Sequence, residues 1–306
     1  MLLTQTATTV WLDGRPLEGG ELHLHPLTHA LHYGSTVFEG IRCYPTARGP
    51  AIFRLREHVD RLLEGSRRFG LQPAYDADAL CAAIVDTVRA SGLQAAYIRP
   101  LVFFGGQSVR YNPAAECPTH VMIVVFAFDG ILPGVERVQF RAGVSPFMKT
   151  PSRALPSTVK CGGHYTNSFW SLGDVQRRGY DEAILLNDRG EIAEGTGENL
   201  FIIRDGLLIT NDESADILLG ITRRSVLALA DAFGIPTAIR PIAMADLLGA
   251  DEAFFTGTAA EVCPIVSVDE HRFRGEGPIT ERLRTAYTDI VRGRREAPGP
   301  WLTYVS

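Results

Sequence analysis

The chain has 306 residues, 45% of them hydrophobic, and 35 acidic against 30 basic side chains give a net charge of -5. That length can bury a large core in two domains or one large one, and the acidic balance without basic runs excludes a nucleic-acid surface, which needs clustered Lys/Arg. No apolar run approaches membrane-spanning length, and "MLLTQTATTVWLDG" carries no signal-like leader, so no membrane is expected and the location expected is cytoplasmic.

In chain order, "TVWLDGRPLE" sets an Asp-Gly turn between extended segments, a hairpin signal, and "IRCYPTARGPAIFRL" repeats the pattern. "REHVDRLLEGSRRFGL" has helical apolar spacing and stops at Gly70; "DADALCAAIVDTVRASG" starts on an Asp cap and ends at Gly92. "AAYIRPLVFF" and "THVMIVVFAF" are β-branched and aromatic strands buried on at least one face. The Gly/Pro-punctuated "DGILPGVER" is the candidate linker. Beyond it, strands "RVQFRAGVS", "DEAILLND", "NLFIIRDGLLIT", "EAFFTGT" and "CPIVSVDE" mix with helices near 166–178, 221–233 and 279–293. Clean βαβ alternation is missing. The fold class is therefore α+β in two mixed domains, 1–128 and 137–306, joined by an interdomain loop at 129–136, with the second nearer a barrel than a doubly wound sheet.

Among the cations, Lys149 and Lys160 are the only lysines. Arginine holds its proton under ordinary conditions, whereas a desolvated lysine can lose it and attack a carbonyl. Lys160, in "STVKCGGHYTN", is thus a candidate for amine chemistry, with chance survival of a lysine the open alternative. Lys149, in "FMKTPSR", reads as an exposed loop residue. "LLGITRRSVLALADAFG" runs through Gly220 into a helix starting at Ile221 or Thr222, where amides and the helix dipole suit an anion. In "FFTGTAAEVCP", small residues around Thr258 let backbone amides approach a ligand. "EIAEGTGENLF" puts Glu194 and Glu198 around two glycines. Taken singly, each has a bland reading as a turn or first-turn residue. The histidines of "HLHPLTHALHYG" (23, 25, 29, 32) invite a metal, but the only near acid is Glu21, so packing and hydrogen bonding is expected and no metal. The five cysteines (43, 81, 117, 161, 263) are scattered without C-x-x-C, so they are expected to be reduced and mostly buried. An amine, an acid and anion donors together are what pyridoxal phosphate requires.

The ordered motifs "HALHYGSTVFEGIR" (29–42), "REHVDRL" (56–62), "YIRPL" (97–101), "KCGGHYTNS" (160–168), "GYDEAILLN" (179–187), "AEGTGENLF" (193–201), "LLGITR" (218–223) and "TGTAAEVCPI" (256–265) resemble the class IV aminotransferases of fold type IV, and within them the branched-chain group. The resemblance implies a smaller N-terminal α/β sandwich-like domain, a larger C-terminal pseudo-barrel domain and pyridoxal 5'-phosphate at the domain interface. It implies an internal aldimine on Lys160, with Glu194 on the pyridine nitrogen. Tyr165 would hold the ring hydroxyl, and Arg61, Ile221, Thr222 and Thr258 the phosphate. Tyr97 and the amides near Thr258 and Ala259 would bind the substrate carboxylate; Tyr33, Phe38 and Gly40 would line the side-chain pocket, with Arg99 as its rim cation. The reaction implied is ping-pong transfer between Leu, Ile or Val and 2-oxoglutarate in a homodimer or higher homo-oligomer. Within the family the alternatives are a D-amino-acid or (R)-amine transaminase, which "YIRPL" disfavours, and an aminodeoxychorismate-lyase-like enzyme; outside catalysis, a binding protein on the same fold. Two departures bear on substrate: "GGQSVRYNP" brings in Arg110 and Tyr111, and "FDGILPG" supplies Ile131 and Leu132 where relatives often carry aromatics.

Overall fold

The computed structural model describes residues 7–17, 22–114, 116–130, 139–273, 275 and 277–305. The mixed α+β class expected from sequence is the class observed, with two eight-stranded sheets. The chain divides into two compact units. Unit 1 is Met1–Asp129 with Val159–Gly163 and Val291–Ser306; unit 2 is Gly130–Thr158 with His164–Ile290. An unbroken second domain over 137–306 is therefore not the grouping seen, because two stretches of it hydrogen-bond to strands of unit 1, which brings the units to nearly equal length. Most of the expected loop at 129–136 lies outside the described residues.

Unit 1 opens with β1 (Ala7–Leu12) and β2 (Arg15–Leu17), the Asp-Gly hairpin, with Asp13 and Gly14 both at positive φ. A short helix α1 (His29–Tyr33) leads into β3 (Thr36–Phe38), β4 (Ile41–Thr46) and β5 (Gly49–Phe53). The two helices follow: α2 (Leu55–Arg68), and α3 (Ala77–Ser91), whose N-cap Asp76 accepts from the Ala79 amide at 2.8 Å. Strands β6 (Ala96–Phe104) and β7 (Thr119–Ala127) pair along their full length. Side chains on β6 alternate faces. Ala96 and Ile98 are fully buried and α3 packs on this strand, while Tyr97 and Arg99 fall together on the other face, only part-buried. The chain's last strand, Leu302–Tyr304, pairs with β5.

Unit 2 holds β8 (Phe140–Val144), α4 (His164–Arg177), β9 (Glu182–Ile184), the hairpin β10 (Asn199–Arg204) and β11 (Leu207–Thr210), and α5 (Ile221–Ala232). It continues through β12 (Thr237–Ile239), α6 (Met244–Leu248), β13 (Glu252–Gly257), β14 (Glu261–Val268), β15 (His271–Arg272) and α7 (Pro278–Val291). The sheet order is β12-β11-β10-β13-β14-β8-β9, with parallel pairs at β11/β12, β14/β8 and β8/β9. Ile184, Leu200, Ile202, Phe255 and Ile265 form its apolar centre. Burying such side chains contributes roughly 1.5–3 kcal/mol each, which fixes the strand ends that carry polar groups.

Candidate active site

Lys160 sits on a strand-like segment laid against β3. The Phe38 amide donates to the Lys160 carbonyl at 3.1 Å, Gly162 N donates to Thr36 O at 2.8 Å, and Val37 bridges Cys161. Gly162 is required there, since a Cβ would meet the Thr36 methyl at 2.6 Å. The ammonium nitrogen lies 5.3 Å from the Phe38 ring centre. Burial pushes the amine below its ordinary lysine value; Glu39 opposes that and Arg61 reinforces it.

Around it, unit 1 builds a buried charge cluster. Glu39, 0% exposed, accepts from Arg61 Nε at 2.6 Å and Arg61 Nη2 at 2.9 Å, and from His58 Nδ1 at 2.8 Å. His58 and Arg61 are three apart on α2, so one helix face delivers both. Burial would raise the Glu39 carboxyl, but Arg61 and His58 more than offset it and hold it well below the carboxylate range. Burial also lowers His58, with Glu39 pulling the other way. Tyr97 lies over Gly40: a Cβ on Gly40 would stand 1.9 Å from the tyrosine oxygen. Arg99 spreads over Phe38 and Tyr97, its Cζ 4.7 and 5.3 Å from the two ring centres, and its buried Nε has no hydrogen-bond partner. Tyr33 is exposed and donates to the Val109 carbonyl at 3.0 Å.

In unit 2, Glu194 is 6% exposed and fully engaged on three sides. Lys149 Nζ lies 2.6 Å from Oε1, while Oε2 accepts from Asn199 Nδ2 and the Leu218 amide, both at 3.1 Å. Asn199 also accepts from Gly220 N at 3.0 Å, tying the acid to the start of α5. Gly220 brings no side chain to cap that helix, and Ile221 and Thr222 form its buried first turn. Asn211 anchors the backbone ahead of Glu194 by donating to the Ile192 and Ala193 carbonyls, and Arg223 of α5 in turn donates to the Asn211 carbonyl. Thr258 and Ala259 lie part-buried in the turn after β13, beside Thr256, whose buried hydroxyl has no partner. Tyr165 is part-buried in the first turn of α4.

Unit 1 thus gathers Lys160, Arg61, Phe38, Gly40, Tyr97 and Arg99; unit 2 ties Glu194 through Asn199 to the helix start that leads into Ile221 and Thr222, and also carries Thr258, Ala259 and Tyr165. The reading of Lys149 as exposed is corrected: it is 8% exposed, since its amide is tied to Leu186 and its ammonium to Glu194. Arg110 is an exposed residue paired with Glu116 at 2.9 Å. Sequence reasoning missed Glu39, His58 and Asn199. The signals were the charge of Glu39 inside an apolar run and the polar Asn199 opening an apolar strand. Glu198 holds the glycine turn, accepting from the amides of Gly195 and Gly197. Among the described histidines, His29 bonds Ser35 and the Arg110 carbonyl, and His32 the Pro26 carbonyl. Ile131, Leu132 and Glu21 lie outside the described residues.

Residues 36–268 match the profile of the family described as amino-transferase class IV. The chain belongs to the class IV aminotransferases. This class IV aminotransferase is 40% identical over 300 residues to the branched-chain-amino-acid aminotransferase of Pseudomonas aeruginosa, with 97% of each chain covered. Its fold matches the crystal structure of the Escherichia coli branched-chain amino acid aminotransferase at a TM-score of 0.95 and 37% identity, covering 98% of this chain and 100% of that one. The branched-chain amino acid aminotransferase from Thermobaculum terrenum, solved in its PLP-form, gives 0.91 and 32%, covering 98% and 99%.

Proposed function

We propose that this aminotransferase moves the amino group between L-leucine, L-isoleucine or L-valine and 2-oxoglutarate, using pyridoxal 5'-phosphate. The observation that carries the reading is Lys160, a buried amine whose proton affinity burial lowers. Similarity over nearly the whole chain to branched-chain aminotransferases supports it. The donors of each unit suit the cofactor: on unit 1 an amine and an arginine fixed by a buried acid, and on unit 2 an anchored carboxylate, a helix start without a side-chain cap and a buried hydroxyl without a partner. Bound there, the cofactor supplies a carbonyl for the amino group and a ring that withdraws electrons from Cα.

The chain's own residues do the rest. Lys160 Nζ, whose hold on a proton burial weakens, takes the proton from the substrate Cα. Glu194 pairs with the ring nitrogen, Tyr165 with the ring hydroxyl. Arg61, Ile221 N, Thr222 and Thr258 hold the phosphate, with Arg61 oriented by Glu39. Tyr97 and the amides near Ala259 take the α-carboxylate, and Phe38, Gly40 and Tyr33 bound the side-chain pocket. Arg99, its Cζ close over two aromatic rings, meets a glutamate side chain at the rim while leaving an apolar surface for leucine. Both half-reactions use the same residues, hence ping-pong kinetics.

We also propose a homodimer, supported by exposed Phe147, Met148, Phe169 and Trp170 on one unit. Among the described residues no helix is long and apolar enough to cross a membrane, and no disulfide joins any of the five cysteines, which supports a cytoplasmic location. The test is the visible absorption of purified protein loaded with cofactor, before and after L-leucine, L-glutamate and D-alanine, with Lys160→Ala as control. The band should bleach with L-leucine and L-glutamate, return with the matching keto acids and be missing in the variant. Bleaching by D-alanine alone, or pyruvate released without an acceptor, would overturn the substrate or the reaction.

A further inference from the structure

Lys149 has no part in the scheme above, yet it is the group nearest to Glu194. Both side chains are buried, 10% and 8% exposed, and their charged atoms stand 2.6 Å apart. The two backbones are laced to one another. Lys149 N donates to Leu186 O at 2.7 Å, and Leu185 N donates to Glu194 O at 2.9 Å, so adjacent residues of one segment hold both partners. Ser152 N, bonded to Asp216 at 2.8 Å, and the Ser152–Ser157 hydroxyl pair brace the loop behind the lysine. A carboxylate has about four acceptor positions. Lys149, Asn199 and the Leu218 amide take three of them.

We propose that Lys149 is a positioning residue whose ammonium fixes the orientation and the charge of Glu194, so that the remaining acceptor position is offered to a protonated ring nitrogen of the cofactor. The inference rests on the cofactor reading given above. A cation on the far side of the acid favours the ion pair, carboxylate against pyridinium, over the neutral pair in which the proton has moved to the acid. Burial alone would weaken the lysine's hold on its proton, but Glu194, with Tyr165 and Asp216 adding to it, more than offsets this; His164 faces the same group. Lys149 thus keeps its proton while Lys160 is pushed to release its own. The chain's two lysines carry opposite tasks.

The experiment loads wild type, Lys149→Met, Lys149→Gln and Lys149→Arg with pyridoxal phosphate labelled with 15N at the ring nitrogen. It reads the nitrogen chemical shift across pH and the cofactor's dissociation constant. Wild type and Lys149→Arg are expected to show the protonated-ring shift throughout. Lys149→Met and Lys149→Gln should move towards the neutral-pyridine shift and bind cofactor about tenfold or more weakly, the usual loss for a hydrogen bond to a charged group. Lys149→Gln keeps a donor without the charge and carries the test if Lys149→Met does not fold. A loaded Lys149→Gln with the wild-type shift and affinity overturns the role of Lys149 alone. A wild type that takes up no pyridoxal phosphate overturns the cofactor reading and this inference together.

Discussion

At the scale of single residues, Glu39 shows how much a site can owe to a group that never meets substrate. Its carboxylate is wholly buried against Arg61 and His58. Glu39→Gln takes the buried carboxylate away from the Arg61 guanidinium and from His58 and is expected to lower stability by about 3 kcal/mol, read from urea unfolding. The pH dependence has a definite sign. Glu39 is held below its ordinary 4.5, so the unfolded chain takes up that proton first; its contribution is complete above that value and is lost as pH falls below it. His58 is held below its ordinary 6.5, so here too the unfolded chain binds the proton first, and stability falls as pH drops through that value. The urea midpoint should therefore rise from pH 4 to about pH 7, and His58→Asn should flatten the upper part of that rise. A midpoint independent of pH over this range would refute both assignments.

Elements enter where they end. Asn199 opens β10, Gly220 precedes α5, and the two meet: a Cβ on Gly220 would stand 2.2 Å from Asn199 Oδ1. Gly220→Ala must push the amide away from its bonds to Glu194 and Leu218. The expected result is weaker cofactor binding with α5 intact, checked by fluorescence titration beside circular dichroism; unchanged affinity would show that Asn199 can step aside. This scale also marks what the sequence discloses. The Asp-Gly hairpin, the Asp76 cap and the helix starting at Ile221 are local signals, written in neighbouring residues. Lys160 and Glu194 stand out for the same reason, one by its rarity and one by its glycines. Lys149 is misread from sequence because its burial comes from Leu186 and Glu194, far along the chain, while its neighbours look like a turn. The pairing of Leu302 with Phe53 is equally illegible, since a three-residue strand has no periodicity to detect. Glu39 and Asn199 are hidden inside motifs read for their apolar residues.

For the whole molecule, the exposed aromatic residues and the thiols make separate predictions. Phe169 and Trp170 are 73% and 56% exposed, and Phe147 packs edge-on to Trp170 at 6.2 Å. If a second copy covers them, Trp170→Glu lowers the mass measured by light scattering from dimer to monomer; a dimeric variant would move the interface elsewhere. Four of the five cysteines are buried and Cys81 is part-buried. Burial lifts the Cys43 thiol to about 12 and Cys81 to about 11. A thiol reagent at neutral pH should therefore modify Cys81 slowly and the other four only after denaturation.

The placement of the two lysines bears on selectivity as well as on catalysis. Aldehydes condense with any accessible neutral amine, and pyridoxal phosphate is an aldehyde. In most proteins surface lysines compete for it. Here the only lysines are Lys149 and Lys160, Lys149 is spoken for by Glu194, and of the two only Lys160 is pushed to shed its proton. Apart from the chain's own amino terminus, a reactive carbonyl meets no decoy on this protein.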